Sequence, residues 1–155
     1  MPNYRSKAEE RFANALAEKG IRFEYEPEKW DYAKKLVNSF CGECDHPKVY
    51  QRKKYTPDFY FPDYGFYIEL KGRLTSRDRT KYIAVKRSNP RKDLRFVCLA
   101  DNKISKSSAT RYSDWLREQA MVFHVGKDIP DHWFGPAGKK PTRTRSKAGQ
   151  RKEST

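Results

Sequence analysis

Residues 55–71 constrain the fold more than any other segment, because they have the pattern of a β-hairpin. Aromatic and branched residues flank the turn sequence Pro-Asp-Tyr-Gly. A two-residue turn at Asp63 and Tyr64 fixes the register and places Asp58 opposite Glu69. The other predicted pairs are Phe59 with Ile68, Tyr60 with Tyr67, and Phe61 with Phe66.

Side chains alternate between the two faces of a strand, so this hairpin has one apolar and one polar face. We expect the apolar face to pack on the core. The polar face carries two opposed carboxylates, with a lysine two residues beyond the second. The apolar face consists of Phe59, Phe61, Phe66, Ile68 and Leu70, and the polar face of Asp58, Tyr60, Tyr67, Glu69 and Lys71.

The opposed carboxylates indicate either a metal site or an ordinary polar surface. Directly opposed residues have Cβ atoms roughly 5 Å apart, and like charges there repel, so a cation has to offset the repulsion. Lys71 is one such cation and a divalent metal is another. Mg²⁺ prefers one or two carboxylates together with waters and phosphate oxygens, and it would activate water beside a phosphate. The spacing fits a surface hairpin equally well, so both alternatives stand.

A third candidate carboxylate lies in the first predicted helix. Glu9 is the fourth residue of a Ser-x-x-Glu capping pattern that begins at Ser6, so its carboxylate either caps the helix or joins the site. Glu10 is an equally good candidate on composition alone.

The net charge of +14, from 34 Lys and Arg against 20 Asp and Glu, favours nucleic acid as the partner. A membrane surface is the weaker alternative, because no basic amphipathic helix with a strong apolar face and no spanning segment is visible. Residues 139–155 contribute seven cations and one anion and have no apolar periodicity. They predict a disordered basic tail that raises nucleic-acid affinity, or only a solubilising terminus.

The remaining patterns predict a mixed α/β fold. We expect one domain over residues 1–138, with residues 28–54 as an insertion, protruding hairpin or bridging segment. Residues 55–71 supply the hairpin. The other predicted elements are a helix at 6–19, a strand at 21–26, a basic helix from Thr75 or Ser76 to about Ser88, a strand at 94–100, a helix at 113–119, a strand at 121–125 and a capping turn at 130–133.

Cysteine usage and the polar N-terminus predict a cytoplasmic location. Residues 1–5 do not have the pattern of a signal peptide, and three cysteines without an export signal fit a reducing cytosol. Cys41, Cys44 and His46 resemble half a zinc knuckle, whereas structural zinc takes four ligands. Loop cysteines are the alternative, because Cys98 falls in an apolar strand pattern.

At Tyr55-Thr-Pro-Asp-Phe, followed by Glu69-Leu-Lys-Gly, the sequence resembles the PD-(D/E)xK nuclease motif. It is most similar to the phage endonuclease I family of Holliday junction resolvases, over most of residues 5–133. Residues 20–26 and 111–115 add to the resemblance. A bare Asp…Glu-x-Lys pattern would be much less specific.

The resemblance implies a restriction-endonuclease-like core with a mixed central sheet flanked by helices, and an endonuclease that cuts branched DNA with Mg²⁺, for which Mn²⁺ can substitute. It implies that Asp58, Glu69 and the carbonyl of Leu70 bind the metal, joined by Glu9, and that Lys71 orients water or stabilises the transition state. It further implies an intertwined homodimer in which Glu9 of one subunit completes the other's site. Residues 29–54, where the family exchanges chains, are longer here than in its shortest members.

Cations near the predicted hairpin suit contact with DNA phosphates, although a solvated helix face is the alternative. Three functions remain open: a junction-resolving endonuclease, a nuclease of the same fold acting on mismatched or linear DNA, and a basic DNA-binding protein with structural carboxylates. If the chain is phage-encoded, the location is the cytoplasm of the bacterial host. The predicted DNA contacts are Arg5, Lys7, Arg11, Arg73, Arg77, Arg79, Lys81, Lys86 and Arg87.

Overall fold

A computed structural model describes residues 2–35 and 50–135 of the chain. In chain order the elements of this part are α1 (Lys7–Glu18), β1 (Glu24–Tyr25), β2 (Trp30–Lys35), β3 (Tyr50–Tyr55), β4 (Phe59–Phe61), β5 (Phe66–Lys71), α2 (Ser76–Ser88), β6 (Leu94–Cys98), α3 (Tyr112–Glu118), β7 (Val122–Val125) and a 3₁₀ turn, Asp131–Phe134.

Five strands form one mixed sheet in the order β1-β4-β5-β6-β7. The pairs β1–β4 and β4–β5 are antiparallel, whereas the pairs β5–β6 and β6–β7 are parallel. The change occurs at β5, because a tight turn joins it to β4 and the α2 crossover joins it to β6. The predicted α/β class with a mixed central sheet is confirmed.

The register predicted for the hairpin is confirmed. Phe59 pairs with Ile68, and the next two pairs follow the expected order. The amides of Tyr64 and Gly65 both donate to the carbonyl of Phe61, and Gly65 has φ 77°, a conformation that suits glycine. The register is as predicted, but the turn is wrong in length: it spans residues 62–65 rather than only Asp63 and Tyr64.

The first strand of the hairpin is shorter than the prediction. Tyr55 ends β3, where it pairs with Trp30, and β4 begins only at Phe59. Pro57 lies buried between the two strands and has no amide hydrogen for a ladder bond. The chain therefore changes sheets here, and Asp58 lies at the change.

One face of the hairpin packs on α1 as predicted. Its five apolar side chains are buried in one cluster with Phe12, Leu16 and Ile129. The opposite face carries the predicted polar residues, but it is not the solvated surface of the ordinary-hairpin alternative. Tyr67 is 7% exposed and Glu69 only 6%, because α2, α3 and the β2–β3 sheet cover this face with a second cluster.

A protruding hairpin was one of the alternatives predicted for residues 28–54, and this segment does contain a hairpin. β2 and β3 pair antiparallel from Trp30–Tyr55 to Lys35–Tyr50. The base of this hairpin does not protrude, because Trp30, Tyr32 and Tyr55 are buried against α2 and β5. The candidate zinc ligands Cys41, Cys44 and His46 and the predicted tail at 139–155 lie outside the described residues.

The remaining elements match their predictions, except for one strand and the shifts of one or two residues at the other element ends. The strand predicted at 21–26 is reduced to Glu24–Tyr25, since Glu26 has φ 45° and turns the chain away. Thr75 is the N-cap of α2 and forms a full capping box with Asp78. In the described part of the chain, no helix is long and apolar enough to cross a membrane.

Candidate active site

Glu69 is a buried carboxylate held by two tyrosines. It lies on β5 and faces α2. The hydroxyl of Tyr55 donates to its Oε2 at 2.5 Å, and the hydroxyl of Tyr82 donates to its Oε1 at 2.7 Å. Burial raises the pKa of Glu69, while Lys71 and the two hydroxyls oppose that rise by favouring the ionised form. Both carboxylate oxygens are therefore oriented before any ligand binds.

Lys71 lies between two carboxylates at the end of β5. Its Nζ is 3.6 Å from Oε1 of Glu69 and 3.7 Å from Oδ1 of Asp78, the N3 residue of α2. It also lies 5.4 Å from the ring centroid of Tyr82. Residues of β5 and α2 together hold this ammonium group in place.

Asp58 joins the site from the opposite side of β5. Its Oδ2 accepts the amide hydrogen of Leu70 at 2.8 Å, in place of a ladder partner. Along β5, the backbone groups of successive residues point to opposite edges of the strand. Those of Tyr67 and Lys71 point to β6, so the amide and carbonyl of Leu70 point to the other edge, where Asp58 lies. A carboxylate and a backbone carbonyl oxygen therefore face the same space.

The electrostatics of Asp58 indicate missing positive charge. Burial and the negative charge of Glu69 raise the pKa of Asp58 to about 8, and Glu9 adds to the rise. The Leu70 amide and Lys71 act in the opposite direction but do not offset it. A divalent cation is the kind of group that would restore the ionised form.

Glu9 lies in the first turn of α1, with its carboxylate turned toward β1. Its amide donates to Oγ of Ser6, so half of the predicted capping box is present. Its Oε2 instead accepts from the hydroxyl of Tyr25 at 2.5 Å and the amide of Arg5 at 3.2 Å. Because its charge raises the pKa of Asp58 within the same chain, Glu9 rather than the exposed Glu10 faces the site.

The donor set fits a hard divalent ion that keeps part of its water shell. Across residues 2–35 and 50–135, no three His, Cys, Asp or Glu side chains form a group that holds a metal by itself. Mg²⁺ does not need such a group, since one or two carboxylates, waters and substrate phosphate complete its octahedron. Asp58, Glu69 and the Leu70 carbonyl supply donors of this class.

Comparison with known proteins identifies the family. The model of the phage endonuclease I family matches residues 1–152. This chain belongs to the phage endonuclease I family. It is 34% identical over 128 residues to endodeoxyribonuclease 1 of Enterobacteria phage T3, covering 82% of this chain and 74% of that protein. It is 32% identical over 132 residues to endonuclease I of Escherichia phage T7, covering 84% and 78% of the two chains.

The nine cations predicted to contact DNA in this member of the family fall into three groups. Three of them already have partners. The side chains of Lys86 and Arg79 each donate to a backbone carbonyl at 2.8 Å, and Arg5 pairs with Glu26 at 2.7 Å. Lys81 is half-buried over aromatic rings. The exposed group without an ion pair among the described residues comprises Lys7, Arg11, Arg73, Arg77 and Arg87.

Sequence reasoning missed the side chains that orient the candidate residues. Tyr55 was part of the family-like motif but had no predicted role, and Tyr82 was not singled out. Tyr25 and Asp78, which contact Glu9 and Lys71, were also missed. A helical face of Tyr82 and Val85 on an otherwise basic helix was the available signal for α2.

Proposed function

We propose that this chain is a structure-selective DNA endonuclease that resolves four-way and other branched junctions by metal-dependent phosphodiester hydrolysis. The observation that carries the proposal is the Asp58–Glu69 pair beside Lys71, in which burial and mutual repulsion raise the pKa of Asp58 to about 8. A site that lacks positive charge at neutral pH is suited to a metal and a phosphate, and poorly suited to a purely structural role.

Asp58, Glu69 and the Leu70 carbonyl would hold Mg²⁺, or Mn²⁺ in its place, with Glu9 as a further ligand. The ion would supply an activated water and charge neutralisation at the phosphate. Two hydroxyls fix the Glu69 carboxylate, and the Leu70 amide fixes that of Asp58. The chain therefore brings donors that are already oriented, which reduces reorganisation during the reaction.

Lys71 would contact the attacking water or a phosphate oxygen. Its Nζ is held between Glu69 and Asp78, so it stays near the scissile group as a fixed positive charge. A fixed charge in a partly dry site stabilises developing negative charge more strongly than a solvated lysine does. Its side chain is 22% exposed, which leaves it open to a substrate from one side.

Two such sites on a homodimer would account for paired nicks at a four-way junction. Family membership supports this assembly, and the net charge of +14 supports binding to the phosphate backbone. By family membership, Glu9 of one subunit would complete the site of the other. Within one chain its charge already acts on Asp58, so an experiment with mixed subunits has to decide which site each Glu9 serves.

A nuclease of the same fold that cuts mismatched or linear DNA is the second candidate. It is favoured by the same carboxylates, which act on any phosphodiester. A basic DNA-binding protein with structural carboxylates is the third, favoured by the net charge alone.

The deciding experiment offers the protein a labelled four-way junction and a matched linear duplex, each with Mg²⁺ and with EDTA. Glu69→Gln and Lys71→Ala are tested beside wild type, with Glu118→Gln as a control at an exposed glutamate. We expect cutting of the junction near its centre only with metal. Both site variants should bind but cut at least about 10²-fold more slowly, and the control should cut normally.

The other outcomes separate the three functions. Equal cutting of junction and duplex would identify a nuclease with a different target. If wild type binds both DNAs and cuts neither with any divalent ion, the carboxylates are structural and the nuclease proposal is wrong.

A further inference from the structure

A groove of about 660 Å³ lies between the β2–β3 sheet and α2. The strand side presents Tyr32 with Lys34 and Lys53, and the helix side presents Ile83 and Ala84 with basic residues. Among the residues that the structure describes, no acidic side chain lines it. The groove is thus an elongated space with a partly apolar floor and cationic walls.

Pairing and helix periodicity explain why the charges converge. Lys53 lies directly opposite Tyr32 across the β2–β3 ladder, and Lys34 is two residues further along, so both share the face that meets α2. On α2, Arg77, Lys81 and Ala84 follow at helical spacing along one side.

The cations of the groove are available for a ligand. No ion pair involves them within the described residues, whereas Lys54 on the opposite face of the same sheet pairs with Asp31 at 2.5 Å. Arg77 and Arg87 stand about 15 Å apart along the helix axis at ~1.5 Å per residue, the axial length of about four phosphates of one DNA strand. Five of the groove cations are Lys34, Lys53, Arg77, Lys81 and Arg87, and Lys35, which strand alternation places on the face of Lys54, also borders the groove.

The groove adjoins the candidate active site through Lys81. Its Nζ lies 5.2 Å from the ring centroid of Tyr55 and 5.7 Å from that of Tyr82, and both hydroxyls bind Glu69. A strand that passes the active site therefore meets cations on this side.

We infer that this groove binds the sugar–phosphate backbone of one DNA strand next to the cleavage point, without reading its sequence. This inference rests on the proposed function for the position of the cut, and it adds Lys34 and Lys53 of the β2–β3 sheet to the DNA-binding surface. Phosphates contact the cationic walls, and the apolar floor of Tyr32, Ile83 and Ala84 accommodates deoxyribose.

The test measures binding of a four-way junction to the full chain in EDTA, where no cutting occurs, over a series of salt concentrations. Lys34→Ala/Lys53→Ala is compared with Arg52→Ala/Lys54→Ala. The second pair removes the same amount of charge from the opposite face of the same sheet, at two positions on β3. Unfolding curves confirm that both variants fold.

For the groove variant, we expect the slope of log affinity against log salt to fall in magnitude by about 2, since each phosphate contact contributes ~0.9. The loss should be equal for junctions of unrelated sequence. The opposite-face variant should keep the wild-type slope.

Equal slopes for both variants, or a loss confined to one DNA sequence, would overturn the inference. Binding is measured without metal, so it does not depend on cutting. If the wild-type protein fails to cut DNA in Mg²⁺, the proposed activity is wrong, but the binding experiment still tests the groove.

Discussion

Asp58 combines three environments that act on one carboxyl group. It is largely removed from water, it lies near two other carboxylates, and it accepts one amide hydrogen. The first two raise its pKa from 3.8 to about 8. The folded state therefore binds this proton more tightly than the unfolded state does, and stability falls as the pH rises between these two values.

Asp58→Asn should remove this pH dependence in metal-free buffer. Between pH 5 and pH 8 the wild type should lose about 2–4 kcal/mol of unfolding free energy at this group, because one pKa unit corresponds to about 1.4 kcal/mol. Over the same pH range, Asp58→Asn should lose about 2–4 kcal/mol less unfolding free energy than wild type, because it lacks this titrating group. Urea unfolding in EDTA at the two pH values measures the difference.

Asp128→Asn is the matched control, since Asp128 is exposed, and it should follow wild type. Addition of Mg²⁺ at pH 8 should raise the melting temperature of wild type and of the control, but not that of Asp58→Asn. Parallel pH profiles for wild type and Asp58→Asn would contradict the electrostatic description of the site.

The residues of the candidate site divide according to what a sequence can encode. Glu69 and Lys71 share a face because side chains alternate along β5, so their proximity was predictable from the residues alone. The donation from Tyr82 to Glu69 was not, because it depends on how α2 docks on β5. Contacts of this kind arise from tertiary packing, which has no periodic signature.

At the scale of elements, the same distinction holds for strands. The register of β4 and β5 was predicted because alternation and a tight turn specify it locally. Pro57 could be read from the sequence as a break in the strand. The position of Tyr55 in a second sheet could not be predicted, because it depends on pairing between β2 and β3. The burial of the polar face was not predictable for a related reason: it depends on tyrosines from other elements, whose hydroxyls make a buried glutamate compatible with a core.

The N-terminus of α2 should be a sensitive point of the fold. Thr75→Ala removes the hydroxyl that accepts the amide hydrogen of Asp78 and should cost about 1 kcal/mol of unfolding free energy. Thr75→Ser should keep the bond and most of the stability. Denaturant unfolding of the three proteins measures the effect.

Thr80→Ala in the same helix is the comparison. Its hydroxyl donates to the carbonyl of Ser76, an interaction that contributes little within a helix, so the cost should be near zero. Equal losses at Thr75 and Thr80 would show that the capping box does not stabilise α2.

At the scale of the whole molecule, the proposed dimer makes a prediction about mixed subunits. Glu9→Gln and Glu69→Gln should each inactivate a homodimer. If Glu9 completes the site of its partner, a heterodimer of the two variants contains one intact site and one doubly altered site. It should therefore nick a junction at one strand per binding event, measured with differently tagged and co-purified subunits.

Mixing two Glu69→Gln preparations controls for contaminating wild type and should give no nicks. An inactive heterodimer would place Glu9 in the site of its own chain, an arrangement that agrees with the action of its charge on Asp58. A chain that sediments as a monomer at working concentration would contradict the dimer itself.

The contacts that orient Glu69 and Lys71 all come from residues 55–82. A single short stretch of coding sequence therefore specifies both the reacting groups and the side chains that hold them. When related phage genomes recombine, a crossover outside this stretch transfers the arrangement whole, whereas one inside it separates Glu69 from Tyr55 or Tyr82. We expect surviving recombinants to have their crossover points outside it.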